Sequence, residues 1–453
     1  MDRTVVISGL GTVCGLGIGI QSLWGGLCAG RTALGPITRF DPAGFPTRLG
    51  SEAREFSGAR DWVPKSYRKA VKVMARDIEL AVCAAKCAVE DAALVTRGVL
   101  PEDSTAATTY PGARMGCQIG AGLIAAEADE LTAALVTAST PELGLDHHAW
   151  GSERGGQGAM NNLPPLWLLK YLPNMLACHV TIIHGAEGPS NTITCAEASG
   201  LLSIGESVRV IQRGDADLCF SGGAEAPINP MRLLRWEIIG RLAPTGDEQD
   251  GSKLVRPFDP KAPGSLLGEA GGIILLEDRD SAARRGAKVY AEVAGFGAAH
   301  SSPTDIVGGA ALEIDDGFQF AIENALEDAG LTAADIDAIV PHALGVPSVD
   351  AGEAGALRAV FGARLSSIPL VTFSPNIGDA LAGNGGLATA IAAKCLAEQR
   401  LPARVHAGAP APGLLAGTAP SRPAILRHIL VASGAIGGQN AALILRATRP
   451  AAS

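Results

Sequence analysis

Two hydrophobic patterns alternate along the chain. Short, continuous apolar runs such as residues 4–10 are bounded by glycine-rich turns, which is typical of buried β-strands. Longer segments such as 71–94 repeat Ile78, Ala81 and Ala85 at helical spacing and predict amphipathic helices. The same patterns predict strands at 116–120, 217–222, 288–297, 336–342, 427–432 and 441–447, and helices at 199–213, 316–330, 350–361 and 384–399. This alternation indicates an α/β protein.

Short motifs, most of them rich in glycine, follow one another in a characteristic order from residue 4 to about residue 447. They are Val5–Val13, Arg39–Pro42, Asn174–Met175, His184–Ser190, Gly214–Asp217, Gly222–Glu225, Arg256–Asp259, Gly268–Gly271 and Gly437–Asn440. Each motif alone is weak, because glycine turns are common. Together and in this order they resemble the landmarks of β-ketoacyl synthases, the condensing enzymes of the thiolase fold.

That resemblance implies the architecture. We expect a thiolase fold, with five layers in the order αβαβα, built from two pseudo-symmetric βαβαβαββ halves. The two halves correspond to residues 1–255 and 256–453, and each places a functional turn before a buried helix.

The segment Ile193–Gly200 resembles the nucleophile turn of the family, in which a Cys lies three residues before a Gly that begins a buried helix. Counted back from Gly200, that position holds Glu197. Cys195 lies upstream, where we expect its side chain to point away from the pocket. A carboxylate is a poor acyl acceptor for a thioester, so the resemblance implies that the nucleophile is lost.

The other catalytic positions also differ from the family pattern. The first catalytic His corresponds to His342, which is retained. The family's Lys corresponds to Ser374, and its second His corresponds to Asp379. Condensation needs donors that stabilise a developing enolate. Asp379 supplies an acceptor there, and two nearby carboxylates repel each other, so one of them is expected to hold a proton.

Substrate-binding positions are altered in the same way. The resemblance assigns two threonines to the phosphopantetheine arm of an acyl carrier protein, and these correspond to Leu344 and Val346. The family's Gly-Phe-Gly-Gly gate loop corresponds to Gly434–Gly438, with Gly434 and Ile436 at the usual Phe positions.

Composition narrows the range of functions. The net charge of −9 and the lack of a basic run with interleaved aromatic residues argue against nucleic-acid binding. No run reaches the ~18 apolar residues of a membrane span, and the first residues form no basic-then-apolar signal, so we expect a cytoplasmic protein. The cysteines show no paired spacing for zinc, and we expect reduced thiols, no metal and no bound cofactor.

Three functions remain open. The first is a non-condensing partner, similar to the chain length factors or ketosynthase β-subunits of type II polyketide synthases, that pairs with an active ketosynthase in fatty acid or polyketide biosynthesis. The second is an enzyme with a rewritten site that acts on acyl or malonyl thioesters, for example as a decarboxylase. The third is a homodimeric acyl-chain binding protein. An obligate dimer, homomeric or heteromeric, is expected in each case.

Two local alternatives also remain open. Glu197 is either tuned for proton transfer or a structural acid bound by backbone N–H groups at a helix start. The basic residues of 65–72 either form a solvated face or contact an acyl carrier protein. In the chain-length-factor string Gln-Ala-Gly-Gly-Leu, the first position is Glu197 here. The resemblance associates the Gln with malonyl decarboxylation, and the charge of Glu disfavours that activity by repulsion.

Overall fold

The computed structural model describes residues 3–101, 103–142, 144–151, 158–301 and 312–448. The helices in these ranges are α1 Ile20–Cys28, α2 Arg76–Asp91, α3 Ala128–Thr137, α4 His147–Gly151, α5 Met175–His184, α6 Ser199–Gln212, α7 Pro230–Ile239, α8 Arg279–Arg284, α9 Asp316–Ala329, α10 Pro347–Phe361, α11 Ser374–Ile377 and α12 Asn384–Glu398.

The strands in the same ranges are β1 Val5–Cys14, β2 Gly17–Ile18, β3 Leu34–Pro36, β4 Leu49–Ser51, β5 Met115–Ala121, β6 Ser139–Thr140, β7 Gly144–Leu145, β8 Ser190–Ile193, β9 Leu218–Glu225, β10 Ala270–Asp278, β11 Ala291–His300, β12 Ala338–Val340, β13 Arg400–Leu401, β14 Arg422–Pro423, β15 His428–Gly434 and β16 Gln439–Arg446.

The long strands form one mixed sheet in the order β12-β15-β16-β11-β1-β10-β9-β5-β8. From β5 to β1 the pairings are parallel, antiparallel and antiparallel, and the same sequence of directions runs from β12 to β11. The two half-sheets join where Val5–Ile7 of β1 pairs with β11. This repetition is the pseudo-symmetry that the sequence predicts.

Five layers follow from the packing of helices on these half-sheets. Helices α2 and α5 cover the outer face of the first half-sheet, and α9 covers β11 and β16 of the second, with α10 packed on α9. Helices α6 and α12 contact each other and strands of both half-sheets, so they form the central layer. The thiolase-type α/β fold predicted from the sequence is therefore confirmed.

Small residues allow the two central helices to approach closely. A Cβ on Gly385 would lie 2.2 Å from the backbone nitrogen of Leu201, and one on Gly200 would lie 2.5 Å from the carbonyl oxygen of Ala382. Because each half sends its functional turn into one of these helices, the close packing also brings the two turns together.

Most predicted elements are present with shifted ends. The helix predicted at 71–94 begins only at Arg76 and ends at Asp91, because Ala70–Val73 forms a separate 3-10 turn. The strand predicted at 336–342 is limited to Ala338–Val340. Strand β10, which lies between β1 and β9, was not predicted, although its apolar residues are fully buried. The boundary at residue 255 stays a prediction. No helix in the described part of the chain is long and apolar enough to cross a membrane.

Candidate active site

The first functional turn connects β8 to α6. After Cys195, Ala196 adopts a left-handed backbone with φ 44°, and residues Ala196–Ala198 form one 3-10 turn before the helix begins at Ser199. The Ser199 hydroxyl accepts from the backbone N–H of Cys195 at 2.8 Å and donates to the carbonyl of Ala196 at 2.6 Å, which closes the turn. The turn directs Glu197 into the protein, where it is 0% exposed.

Glu197 is held by one cation and one backbone amide. Its Oε1 accepts from Nη1 of Arg241 at 2.8 Å, and its Oε2 accepts from the backbone N–H of Ile436 at 3.0 Å. The Arg241 side chain is 16% exposed, so the ion pair is largely shielded from solvent. The alternative in which backbone N–H groups at the helix start bind Glu197 does not match these contacts. The donors are instead Arg241, which follows α7, and Ile436, which follows β15.

Arg241 is a residue that the sequence reasoning missed. It follows α7 directly after Gly240, which ends the helix with φ 76°. Its backbone carbonyl accepts from the N–H of Ser265 at 2.9 Å, and its guanidinium lies over the ring of Trp236 at 5.8 Å. A single Arg after a helix-ending Gly carries no motif, so its role emerges only from the fold.

The loop 434–438 follows β15 and covers the turn. Its Ile436 contributes the amide to Glu197, while its side chain packs against the apolar cluster that contains Trp236, Leu242 and Leu381. The Ser433 hydroxyl donates to the backbone carbonyl of Glu197 at 3.1 Å. Gly434 is buried, and a Cβ there would lie 2.9 Å from Oδ1 of Asn440. Two contacts therefore fasten this loop to the Glu197 turn.

The second functional turn connects α11 to α12 and contains Asp379. Its Oδ1 accepts from the backbone N–H of Leu381 at 2.9 Å and from Nδ2 of Asn384 at 2.6 Å. Burial and the charge of Glu197 raise the pKa of Asp379 well above its usual range. The expected repulsion between two carboxylates is thus present, and it favours a proton on Asp379.

His342 is buried on the loop after β12. Burial, aided by the nearby positive charge of Arg241, lowers the pKa of His342 to about 3. Its backbone N–H donates to Oε1 of Glu353 at 2.8 Å, and that of Ala343 donates to Oε2 at 2.8 Å. His342 is therefore a neutral imidazole at physiological pH, with its backbone clamped to α10.

A second carboxylate of α10 continues this clamp. Asp350 accepts from the backbone N–H groups of Leu344 at 3.1 Å, Gly345 at 3.0 Å and Phe258 at 2.7 Å. Burial raises the pKa of Asp350 to about 7, and burial together with the charge of Asp350 raises that of Glu353 to about 8. These two acids position the loop that carries His342.

The remaining predicted residues lie around the same loop. Ser374, which the sequence comparison predicts at the position of a Lys, is buried and donates to the carbonyl of Ala343 at 2.6 Å. Leu344 and Val346 are buried and apolar, so their side chains have no hydroxyl for a phosphopantetheine arm. Cys195 is half-buried, and burial raises its pKa, which favours the unreactive thiol.

The site therefore combines a paired carboxylate, a carboxylic acid with a raised pKa and a neutral imidazole. Arg241 acts electrostatically on Asp379 and on His342 and contacts Glu197 directly, so these four groups form one site. Across the described ranges, no group of three or more His, Cys, Asp or Glu side chains is arranged to hold a metal. All nine cysteines are free.

Comparison with protein families identifies the chain. Residues 2–282 match the β-ketoacyl synthase N-terminal domain, and residues 290–408 match the β-ketoacyl synthase C-terminal domain. The chain belongs to the β-ketoacyl synthase family. This ketosynthase-family chain is 28% identical to the 3-oxoacyl-[acyl-carrier-protein] synthase 2 of Coxiella burnetii, with 98% of each chain covered. It is 29% identical to a putative polyketide β-ketoacyl synthase 1 of Streptomyces halstedii, again with 98% of each covered.

Solved structures agree with this membership. The ketosynthase-family chain matches the ishigamide ketosynthase/chain length factor with a TM-score of 0.79 and 25% identity, covering 99% of this chain and 100% of that one. It matches a β-ketoacyl synthase from Burkholderia phymatum with a TM-score of 0.80, 25% identity and the same coverage.

Proposed function

We propose that the chain is a non-condensing ketosynthase-fold subunit, similar in role to a chain length factor, that pairs with an active ketosynthase in fatty acid or polyketide biosynthesis. The observation that supports the proposal is the set of contacts made by Glu197. The proposed nucleophile position holds a buried carboxylate, which accepts hydrogen bonds from the guanidinium of Arg241 and from the amide of Ile436.

A carboxylate in this position blocks condensation in two ways. It cannot form a stable acyl-enzyme, and it accepts the Ile436 hydrogen bond that a thioester carbonyl needs if the loop amide is to stabilise its developing oxyanion. Asp379 removes a donor at the second position, and Ser374 is committed to the carbonyl of Ala343. Three of the four catalytic positions are thus unsuited to the reaction, while the fold around them is intact.

The sheet edge supports a partner of the same fold. Strand β8 is the last strand of the sheet, and Ser190 and Asn191 on it are exposed. Helix α5, which packs on β8, exposes Ile182 to 61%. An open edge beside exposed apolar side chains favours pairing with another chain. The similar ishigamide protein is a ketosynthase/chain length factor, and this likeness supports an active ketosynthase as the partner.

Co-expression with an intact Cys-His-His ketosynthase from the same genome tests the assembly. We expect a heterodimer in which Ile182→Lys weakens association, because a charge enters the proposed interface. Ile425→Lys is the matched control, since Ile425 is 68% exposed in the loop between β14 and β15. A stable monomer at micromolar concentration by sedimentation contradicts the proposal, and a homodimer that excludes the ketosynthase favours the acyl-chain binding protein.

Acylation tests the chemistry separately. Incubation of the purified chain with acyl-CoA or an acyl carrier protein, followed by intact-mass measurement, is expected to give no adduct on Glu197 or Cys195. A stoichiometric adduct on Cys195 would overturn the assignment of Glu197 to the nucleophile position.

An acyl carrier protein is proposed as a further partner. Lys65 and Lys72 are exposed on two 3-10 turns that precede α2, and Lys69 is exposed between these turns, so all three present positive charge. We expect salt-sensitive binding that Lys65→Glu with Lys69→Glu abolishes. Binding that is unchanged by these substitutions leaves the turns as a solvated face.

The second candidate function is an enzyme acting on acyl or malonyl thioesters. The raised pKa of Asp379 favours it, because a carboxyl group whose pKa is shifted toward neutral can exchange a proton at physiological pH. The neutral imidazole of His342, with its pKa lowered to about 3, is suited to hydrogen bonding in the same site. Thioester turnover by the purified chain alone, lost in Asp379→Asn, is the result that favours this candidate over the first.

A further inference from the structure

The residues that bind the Glu197 side chain also have contacts that do not involve it. The backbone of Arg241 is held to Ser265 and its guanidinium lies over Trp236. The side chain of Ile436 packs into the same apolar cluster as Trp236 and Leu242. Arg241 and Ile436 keep these contacts when the Glu197 side chain is removed, so we expect both donors to stay directed at the space that it leaves.

The two donors also define the chemistry of the group they bind. One oxygen of Glu197 accepts from a guanidinium at 2.8 Å, and the other accepts from a neutral N–H at 3.0 Å. Two oxygens of one planar anion satisfy two separate donors, and charge-assisted hydrogen bonds of this kind favour a carboxylate. A neutral carbonyl has one oxygen and leaves Arg241 without a counter-charge.

We propose that Arg241 and the amide of Ile436 form a carboxylate-binding site that the chain fills with its own Glu197 side chain. The inference rests on the proposed function and deepens it. An acyl or malonyl thioester can reach the loop amide only by displacing a carboxylate that is attached to the chain. Condensation is thus prevented by an occupied binding site as well as by the missing nucleophile.

Truncation at residue 197 gives ligands of known size. Glu197→Ala removes a CH2–COO− unit, which corresponds to acetate. Glu197→Gly removes one more carbon, which corresponds to propionate. We expect acetate to raise the melting temperature of Glu197→Ala in a saturable manner, and propionate to bind Glu197→Gly at least as well as acetate does. Each titration is matched with chloride at the same ionic strength.

Three controls separate a site from a salt effect. The wild type and Glu197→Gln keep the space filled and are expected to show no saturable response. Glu197→Ala combined with Arg241→Met opens the space without the cation, and it is expected to lose at least about tenfold in acetate affinity, since hydrogen bonds to charged groups are about 1.5–3 kcal/mol each. Equal stabilisation of all four proteins by acetate, or a folded Glu197→Ala that gives no saturable response, overturns the proposal.

If truncation prevents folding, a double-mutant cycle replaces the titration. Urea unfolding of the wild type, Glu197→Gln, Arg241→Met and the double variant is expected to give strongly non-additive losses. Additive losses of unfolding free energy overturn the proposal of a carboxylate-binding site. Neither experiment uses a partner synthase, so the outcomes are distinguishable. Condensation by the wild type would refute the proposed function and leave the carboxylate site standing, whereas absent acetate binding refutes only the site.

Discussion

The turn before α6 and the turn before α12 occupy equivalent places in the two halves, and each ends in a buried carboxylate. Glu197 in the first turn is paired with the guanidinium of Arg241. Asp379 in the second turn accepts from neutral donors, the Leu381 amide and the Asn384 side chain. One acid is therefore compensated by a cation, while the pKa of the other is raised by burial and by the charge of its neighbour.

This difference shows how two acids share one site. A single guanidinium contacts Glu197, and its weaker influence on Asp379 does not offset burial. The site then holds less net charge than two ionised carboxylates would bring, because the second acid favours its proton. The stability of the first turn consequently depends on the ion pair with Arg241. The stability of the second turn changes with pH through Asp379.

Removal of the cation is expected to have the largest effect. Arg241→Met leaves Glu197 buried beside Asp379 without a counter-charge. Loss of one partner of a buried ion pair costs about 3–5 kcal/mol of unfolding free energy. Urea unfolding at neutral pH measures the loss. Arg235→Met is the matched control, because Arg235 is exposed on α7, and its effect is expected within about 0.5 kcal/mol. Equal losses in both variants would show that the Arg241 pair is not special.

Sequence patterns were sufficient for most of the fold. The apolar runs at 4–10 and 217–222 lie in β1 and β9, and the periodic segment at 384–399 corresponds to α12. Strand β10 escaped prediction although Ala270–Leu276 is buried throughout. A continuous apolar run fits a buried helix segment as well as a buried strand, and here the pairing with β1 and β9 decides for the strand.

The site was predictable only in part. Glu197, His342 and Asp379 were found because each occupies a motif position. Arg241 could not be found in that way. Its contact with Glu197 spans 44 positions of sequence and depends on the loop after α7 meeting the turn before α6. The clamp by Asp350 and Glu353 was also missed, since i and i+3 acids on α10 read equally well as a solvated helix face.

A Cys at residue 197 tests whether the first turn alone prevents condensation in the proposed non-condensing subunit. Glu197→Cys frees Arg241 and the Ile436 amide, and a neighbouring guanidinium favours the thiolate. We therefore expect acylation of the new Cys in intact-mass measurements. Chain extension is expected to stay at least about 10²–10³-fold below that of an intact synthase, because Asp379 still offers no imidazole donor.

The matched variant for this test restores the second turn as well. Glu197→Cys with Ser374→Lys and Asp379→His is expected to exceed the single variant in malonyl-dependent extension. Extension by Glu197→Cys alone at a rate near that of an intact synthase would show that the second turn is not limiting.

A pH titration tests the second turn. The folded state keeps a proton on Asp379 that the unfolded chain releases above about pH 4. Stability from this group is present at low pH and is lost as pH rises through the raised pKa. Asp379→Asn cannot titrate, so we expect it to flatten this decline by about 1–3 kcal/mol between pH 5 and pH 8, since one pKa unit is about 1.4 kcal/mol.

An acid with the opposite shift provides the control for that titration. Arg114 and Arg3 lower the pKa of Asp217. Its contribution to stability is therefore present above the unfolded pKa and is lost as pH falls. Asp217→Asn is expected to lose stability at neutral pH and to leave the decline above pH 5 unchanged. A decline that persists fully in Asp379→Asn would assign it to Asp350 and Glu353 instead.

The smallest expected effect concerns the loop that links Ile436 to the first turn. The Ser433 hydroxyl donates to the Glu197 carbonyl at 3.1 Å, so Ser433→Ala removes a single neutral hydrogen bond and no charge. We expect a loss of about 1 kcal/mol in urea unfolding with an unchanged m value. If the loop were fastened mainly by this hydroxyl, the variant would also admit acetate to the site without truncation of Glu197. We expect no such binding, because the Arg241 pair remains and keeps the carboxylate in place. Saturable acetate binding by Ser433→Ala would show that the loop hydrogen bond, and not the ion pair with Arg241, keeps Glu197 in the site.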